Sequence, residues 1–261
     1  MHIAPGLSRT EVAAQDFLTA ARAIRANNAH TCSLNHHWTK PTTYLEWARR
    51  GFSDADDYGL ANAITYAKRA ACCRIDRLIH NYHLQRLHRA SFPEKIQTLE
   101  RIGINIPSVI QELIIDPRNE LEHDYVPADA GTARHALDIA TLFLTATDSV
   151  DSQESIIALN VNMLYGHAFN LKNSEERVTF NGWSKGATGT MLFMDIFAEP
   201  QTAKIVDGEH QEVRYVELAK FTRQEAIELA SILRGHYSLQ NRGSSGASQF
   251  FYTEIKRLAG L

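Results

Sequence analysis

Two hydrophobic periods divide the chain. Up to about residue 150 the apolar positions recur every three or four residues, as amphipathic helices require, and beyond Glu154 they begin to alternate. Ser8 reads as an N-cap with Glu11 at capping-box distance, ahead of Val12, Phe17, Ala20, Ala21 and Ile24 at helical spacing up to Asn27-Asn28. Residues 28–57 read as a packed connection, with at most a short helix from Thr42 to Arg50. From Gly59, the spacing of Leu60, Ile64, Ala67, Ala71, Ile75, Leu78 and Tyr82 predicts a long helix to about Arg89. Pro93 opens a shorter helix with Ile96, Leu99 and Ile102 that stops near Gly103, and Ser108 to Ile115 reads as another. Asp116-Pro117 then has the form of an N-cap and first helical residue, starting a short turn that Tyr125-Val126-Pro127 ends. Asp129 caps a last helix that presents Ala133, Leu137, Ala140, Phe143 and Leu144 to a core. Residues 1–150 are therefore expected to form an all-helical bundle.

After Glu154, Leu159, Val161, Met163 and Tyr165 alternate with Asn160, Asn162 and Leu164, and further strands are expected at Arg177 to Phe180, Thr190 to Phe197, Ala203 to Val206 and Glu212 to Leu218. Thr222 and Glu225 form a capping box before a helix ending near Gly235, and a loop from Asn241 to Ser248 precedes a final helix carrying Phe250, Phe251, Ile255 and Leu258. The expected class is α+β, a helical bundle followed by a small α+β domain over residues 151–261.

Composition narrows the classes without choosing a function. A hydrophobic share of 44%, a charged share of 22%, 14 Gly and 7 Pro in 261 residues argue against disordered, collagen-like and disulfide-scaffold chains. The net charge of −3 is spread evenly, so bulk charge does not announce a nucleic-acid binder. Cys32, Cys72 and Cys73 are too few for a four-ligand zinc site and odd in number for a disulfide framework. The longest apolar stretch, Ile139 to Ala146, is far too short for a membrane span, and charged residues interrupt the first thirty positions. A cytoplasmic protein with no membrane attachment is expected.

The most informative string is Arg118-Asn119-Glu120-Leu121-Glu122-His123. With 19 Arg and 12 His in the chain, Arg followed five positions on by His is expected about once by chance, and Arg25 with His30 supplies that coincidence. Requiring Asn directly after the Arg lowers the expectation to roughly 0.04. The string resembles the signature of the HEPN (higher eukaryote and prokaryote nucleotide-binding) superfamily. There, an Arg, a polar residue after it and a His a few positions on precede the last helix of a small bundle. The resemblance spans roughly residues 58–148 and does not extend to the second domain, which is not recognised.

That resemblance implies a metal-independent endoribonuclease acting as a homodimer with both motifs lining one cleft. It implies no cofactor, an RNA substrate, and an antitoxin or regulatory protein as partner in a toxin–antitoxin or defence setting. The residue chemistry is compatible with this. An imidazole such as His123 suits proton transfer near neutral pH. The fixed donor fork of Arg118 matches phosphate oxygens. Asn119 is assigned a supporting role, orienting the imidazole or binding a phosphate oxygen, and Tyr125 is placed for stacking on a base or for packing. Arg74 and Arg77, with Lys68, Arg69, Arg86 and Arg89, are candidates to track an RNA backbone along the long helix.

A second reading stands beside this one. Arg118 with Glu122, and Asn119 with His123, are four apart, so a surface ion pair and a polar pair explain the string without catalysis. The carboxylates Glu120 and Glu122 also oppose phosphate, which fits a non-catalytic dimerisation, nucleotide- or protein-binding module. On a regular α-helix Arg118 and His123 point roughly 140° apart. Either the turn is irregular or two chains share the site. His80 with His83, His36 with His37, the glycines Gly182, Gly186 and Gly189 with Lys185, and Ser184, Ser244 and Ser245 lack the partners that metal, phosphate-loop or nucleophile chemistry requires.

Overall fold

A computed structural model describes residues 8–24, 28–33, 38–87, 89–124, 126–148, 154–160, 169–171, 178–180, 190–195, 199–207, 210 and 212–240. The architecture is mixed α+β, and it separates into two compact units, one formed by residues 33–154 and the other by residues 1–32 together with 155–261. The first segment of the chain thus groups with the sheet, where the sequence pattern assigns it to the helical bundle.

The reason lies in strand pairing. Ser8–Glu11 is not a capped helix start but a strand, β1, whose residues pair in parallel with β8 (Glu212–Glu217), Ser8 opposite Glu212 and Glu11 opposite Tyr215. Helix α1 (Ala14–Ala23) starts only after it, with Ala13 as an extended cap lacking a side-chain hydrogen bond. The Glu11 carboxylate, expected in a capping box, pairs with Lys220 instead. The sheet runs β1-β8-β7-β6-β3-β2, with β2 at Asn28–Ser33, β3 at Glu154–Asn160, β6 at Thr190–Asp195 and β7 at Thr202–Asp207; β3, β6, β7 and β8 are successively antiparallel. A separate antiparallel pair joins β4 (Phe169–Leu171) to β5 (Val178–Phe180).

Every residue of β7 is buried, as a central strand covered on both faces demands. Among them is Lys204, which donates to the Asp195 carboxylate of β6 at 2.6 Å. Helix α7 (Arg223–Gln240) runs beyond the end expected near Gly235, starts at the Thr222–Glu225 capping box and packs on α1, and just ahead of it the ring of Phe221 meets that of Phe17 on α1 edge to face at 6.2 Å. The 161–165 end of the expected strand, the glycine segment 182–189, and the final loop and helix fall outside the described residues.

The other unit is helical. Helix α2 (Pro41–Asp54) is longer than its sequence pattern suggests: Pro41 fixes its start one residue early, and it runs on past Arg50 to Asp54. Ala55 in the left-handed conformation ends it, and Asp56 caps α3 (Asp57–Asn81) by accepting from the Gly59 N–H at 2.6 Å. The α2–α3 hairpin closes so tightly that a Cβ on Gly59 would lie 2.5 Å from the Gly51 carbonyl oxygen, which only glycine permits. α3 stops at Asn81 rather than near Arg89, because His83 adopts φ 60° and the chain leaves the helix axis. Helix α4 (Phe92–Arg101) has a full Ser91–Glu94 capping box and ends at Gly103, φ 82°. Helix α6 (Ala130–Thr147) starts where Asp129 accepts from the Thr132 hydroxyl and from the Thr132 N–H, the latter at 2.9 Å, and those hydrogen bonds hold the Asp129 carboxyl below its ordinary range.

Candidate functional site

The Arg118 string lies on a single helical run over residues 109–124, not on a separate capped turn. Its middle, α5 (Asp116–Asn119), is α-helical, and the turns before and after it, Gln111–Ile115 and Glu120–Asp124, are π-helical. Asp116 therefore does not cap a helix start. It has helical φ −66° and ψ −47°, its N–H donates to the carbonyl of Gln111 five residues back, and its carboxylate accepts from the Gln111 side-chain amide. Pro117 accounts for the first wide turn. A proline inside a helix has no N–H to donate and its ring collides with the carbonyl four residues earlier. Widening the preceding turn moves that carbonyl aside, so the run continues where the sequence predicts a restart.

The second wide turn bears on the chemistry. A turn closed by i→i+5 bonds holds more residues than an α-turn, so positions five apart swing toward the same side. The angle between Arg118 and His123 is thereby smaller than the roughly 140° of a regular helix. The irregularity that the sequence leaves open as one alternative is present.

Arg118 is ion-paired with Glu122, the two side chains being 25% and 34% exposed. Asn119 does not pair with His123; its Oδ1 accepts from the Lys68 ammonium of α3 at 3.1 Å. The His123 side chain is exposed and, among the described residues, makes no hydrogen bond or ion pair. Tyr125 lies outside the described residues.

Lys68 is the residue that sequence reasoning places on the long helix without connecting it to the motif. It is half-buried, and loss of hydration, followed by the repulsion of Arg118, holds its ammonium below the ordinary lysine value. One turn along α3 stands Cys72, whose thiol burial pushes up to about 11. The next turn carries Asp76, which accepts from Lys95 of α4 at 2.6 Å. Lys68, Cys72 and Asp76 thus form one flank of α3, with α5 packed against that helix.

Arg74 and Arg77 are not on an RNA-facing surface. They are 3% and 4% exposed. The Arg74 guanidinium donates to the Thr147 carbonyl at 3.1 Å and reaches the Asp148 carboxylate at 3.4 Å, closing the C-terminal end of α6. Burying both cations against neighbouring helices removes them from any phosphate-tracking role. Arg69 lies over the ring of Tyr66 at 5.5 Å, and Tyr66 packs with Tyr44 and Trp47. An open groove lined by Trp47, Arg50, Gly51, Asp54, Asn62 and Tyr66 lies on this α2-facing side of α3, away from the Lys68 flank. His80 packs edge to face on Trp38 at 5.5 Å. Among the described residues, no cluster of three or more His, Cys, Asp or Glu side chains is disposed to hold a metal ion, and no helix is long and apolar enough to cross a membrane. His36, His37, Lys185, Ser184, Ser244 and Ser245 lie outside the described residues.

Comparison with protein-family models, curated proteins and solved structures finds no match to this chain.

Proposed function

We propose that the chain is a HEPN-type, metal-independent endoribonuclease whose active unit is a homodimer, with Arg118, Asn119 and His123 as its working residues. One observation carries the reading: the motif stands on a helical run whose last turn is π-wide, which narrows the angle between Arg118 and His123, and Asn119 accepts a hydrogen bond from Lys68 of α3. In the proposed step His123 takes the proton of a ribose 2′-hydroxyl. The 2′-oxygen bonds to the adjacent phosphorus, the P–O5′ bond breaks, and a protonated imidazole returns a proton to the departing 5′-oxygen. The products are a 2′,3′-cyclic phosphate and a 5′-hydroxyl, and Arg118 offsets the charge on the phosphate oxygens. One histidine per motif supplies either the base or the acid. Two copies of the chain facing each other supply both, which is the chemical argument for a twofold dimer.

The test is cleavage of total and transfer RNA in EDTA by the protein and by its Arg118→Ala and His123→Ala variants. Loss of cleavage in both, with the thermal unfolding curve retained, is the expected result. Cleavage left intact by His123→Ala rules the mechanism out. The Arg118–Glu122 ion pair favours a second reading, a non-catalytic nucleotide- or protein-binding module in which that pair is structural. Under it, RNA is bound without being cut, or not bound at all.

A further inference from the structure

Three carboxylates of the motif region already have partners: Glu122 pairs with Arg118, Asp76 with Lys95, and Asp116 accepts from Gln111. Lys68 has none. Its one hydrogen bond among the described residues goes to the neutral amide oxygen of Asn119. Cys72 does not serve as its counter-ion, because a thiol raised to about 11 is uncharged at physiological pH. The hydrogen bond to Asn119 ties the ammonium to the residue next to Arg118, whose guanidinium repels it. Glu122 answers the Arg118 charge alone, so the half-buried Lys68 ammonium keeps an unmatched charge that an anion held by both cations would offset. A guanidinium and an ammonium also divide the labour of holding a phosphate, the first as a planar fork and the second as a point charge.

We propose that Lys68 and Arg118 together form a phosphate site, α3 and the motif helix each contributing one cation to the non-bridging oxygens of a single RNA phosphodiester. Asn119 holds the Lys68 ammonium in position until the phosphate arrives. The proposal rests on the ribonuclease reading for the identity of the strand, but binding of that strand does not require that it be cut.

Full-length protein, Lys68→Gln, Lys68→Arg and a control, Arg49→Gln on the exposed side of α2, are titrated into a short single-stranded 2′-O-methyl RNA, which cannot be cleaved. Anisotropy is read between about 50 and 200 mM salt. Lys68→Gln is expected to weaken binding about tenfold and to reduce the salt slope by about 0.7, the share of one phosphate contact on a single strand. Lys68→Arg is expected to keep the slope, and Arg49→Gln to keep both affinity and slope. Equal affinity and slope for the parent and Lys68→Gln overturn the proposal, even where RNA is cleaved. Absence of binding by the parent, or binding of inorganic phosphate but not of the oligonucleotide, overturns it as an RNA site. Lys68-dependent binding by a protein that cuts no RNA supports it and removes the ribonuclease reading. Circular dichroism of the two Lys68 variants reports whether each is folded.

Discussion

Two lysines, one in each unit, are withdrawn from water and solve the problem differently. Lys204, 5% exposed on β7, is matched by the Asp195 carboxylate across the β6–β7 pairing at 2.6 Å. Lys68, half-buried on α3, is given an amide oxygen at 3.1 Å and a second cation as neighbour. A charge buried for the sake of the fold is normally neutralised within the fold, since an uncompensated one costs several kcal/mol. The partial exposure of Lys68 makes its arrangement tolerable, and its missing counter-charge leaves room for a ligand. The contrast separates a structural cation from one available for binding, although both sit on regular elements and both carry the same group.

The strongest way to break this comparison is to remove the partner of each. Asp195→Ala leaves Lys204 buried without a counter-charge and is expected to cost about 3–5 kcal/mol in urea unfolding. Lys68→Gln is expected to change stability by less than about 1 kcal/mol, because water still screens the partly exposed ammonium. Equal losses in the two variants would erase the distinction. A smaller effect separates unit from site: Gly59→Ala drives a methyl into the Gly51 carbonyl and is expected to cost about 1–3 kcal/mol by overpacking.

The pH dependence sharpens the comparison further. Because the Lys68 ammonium is held below its ordinary 10.5, the folded protein releases that proton before the unfolded chain does. The unfolded state then binds more protons, so this group makes stability rise with pH in the window just under 10.5. The parent's unfolding free energy is expected to rise relative to that of Lys68→Gln as pH climbs through that window, and a difference that stays constant would argue against the strain. The smallest effect belongs to the surface pair. Glu122→Gln is expected to alter stability by no more than about 0.2–1 kcal/mol while strengthening RNA binding, since it releases Arg118 and removes a negative charge. Unchanged RNA affinity in this variant would favour the structural role of the pair.

Features encoded within a few residues were legible in the sequence. The helix start at Pro93, the Thr222–Glu225 capping box, the Asp129 cap and the strands β6 to β8 all appear where the pattern puts them, because their physics is local. Features that depend on distant partners were not. Ser8–Glu11 carries a capping-box spacing, yet it becomes a strand because Glu212–Tyr215 offers it a parallel edge, and nothing near Ser8 announces that. The end of α3 at His83 has no glycine to mark it. Pro117 looks like a helix start, and only the widening of the turn before it lets the run continue. The same limit applies to the candidate site. Arg118, Asn119 and His123 could be named from their spacing, but the Lys68–Asn119 contact spans 51 positions and no local pattern signals it. Arg74 and Arg77 show the converse, since basic residues on a helix face read as solvent-facing until α6 is packed over them.

The most direct test of the central claim is the chemistry of the ends produced when the protein acts on a defined RNA oligonucleotide in EDTA. A 2′,3′-cyclic phosphate on one fragment and a 5′-hydroxyl on the other, with a matched 2′-O-methyl strand untouched and both signals lost in His123→Ala, is the result this account predicts. Fragments ending in a 3′-hydroxyl and a 5′-phosphate, or an RNA that emerges intact, would contradict it.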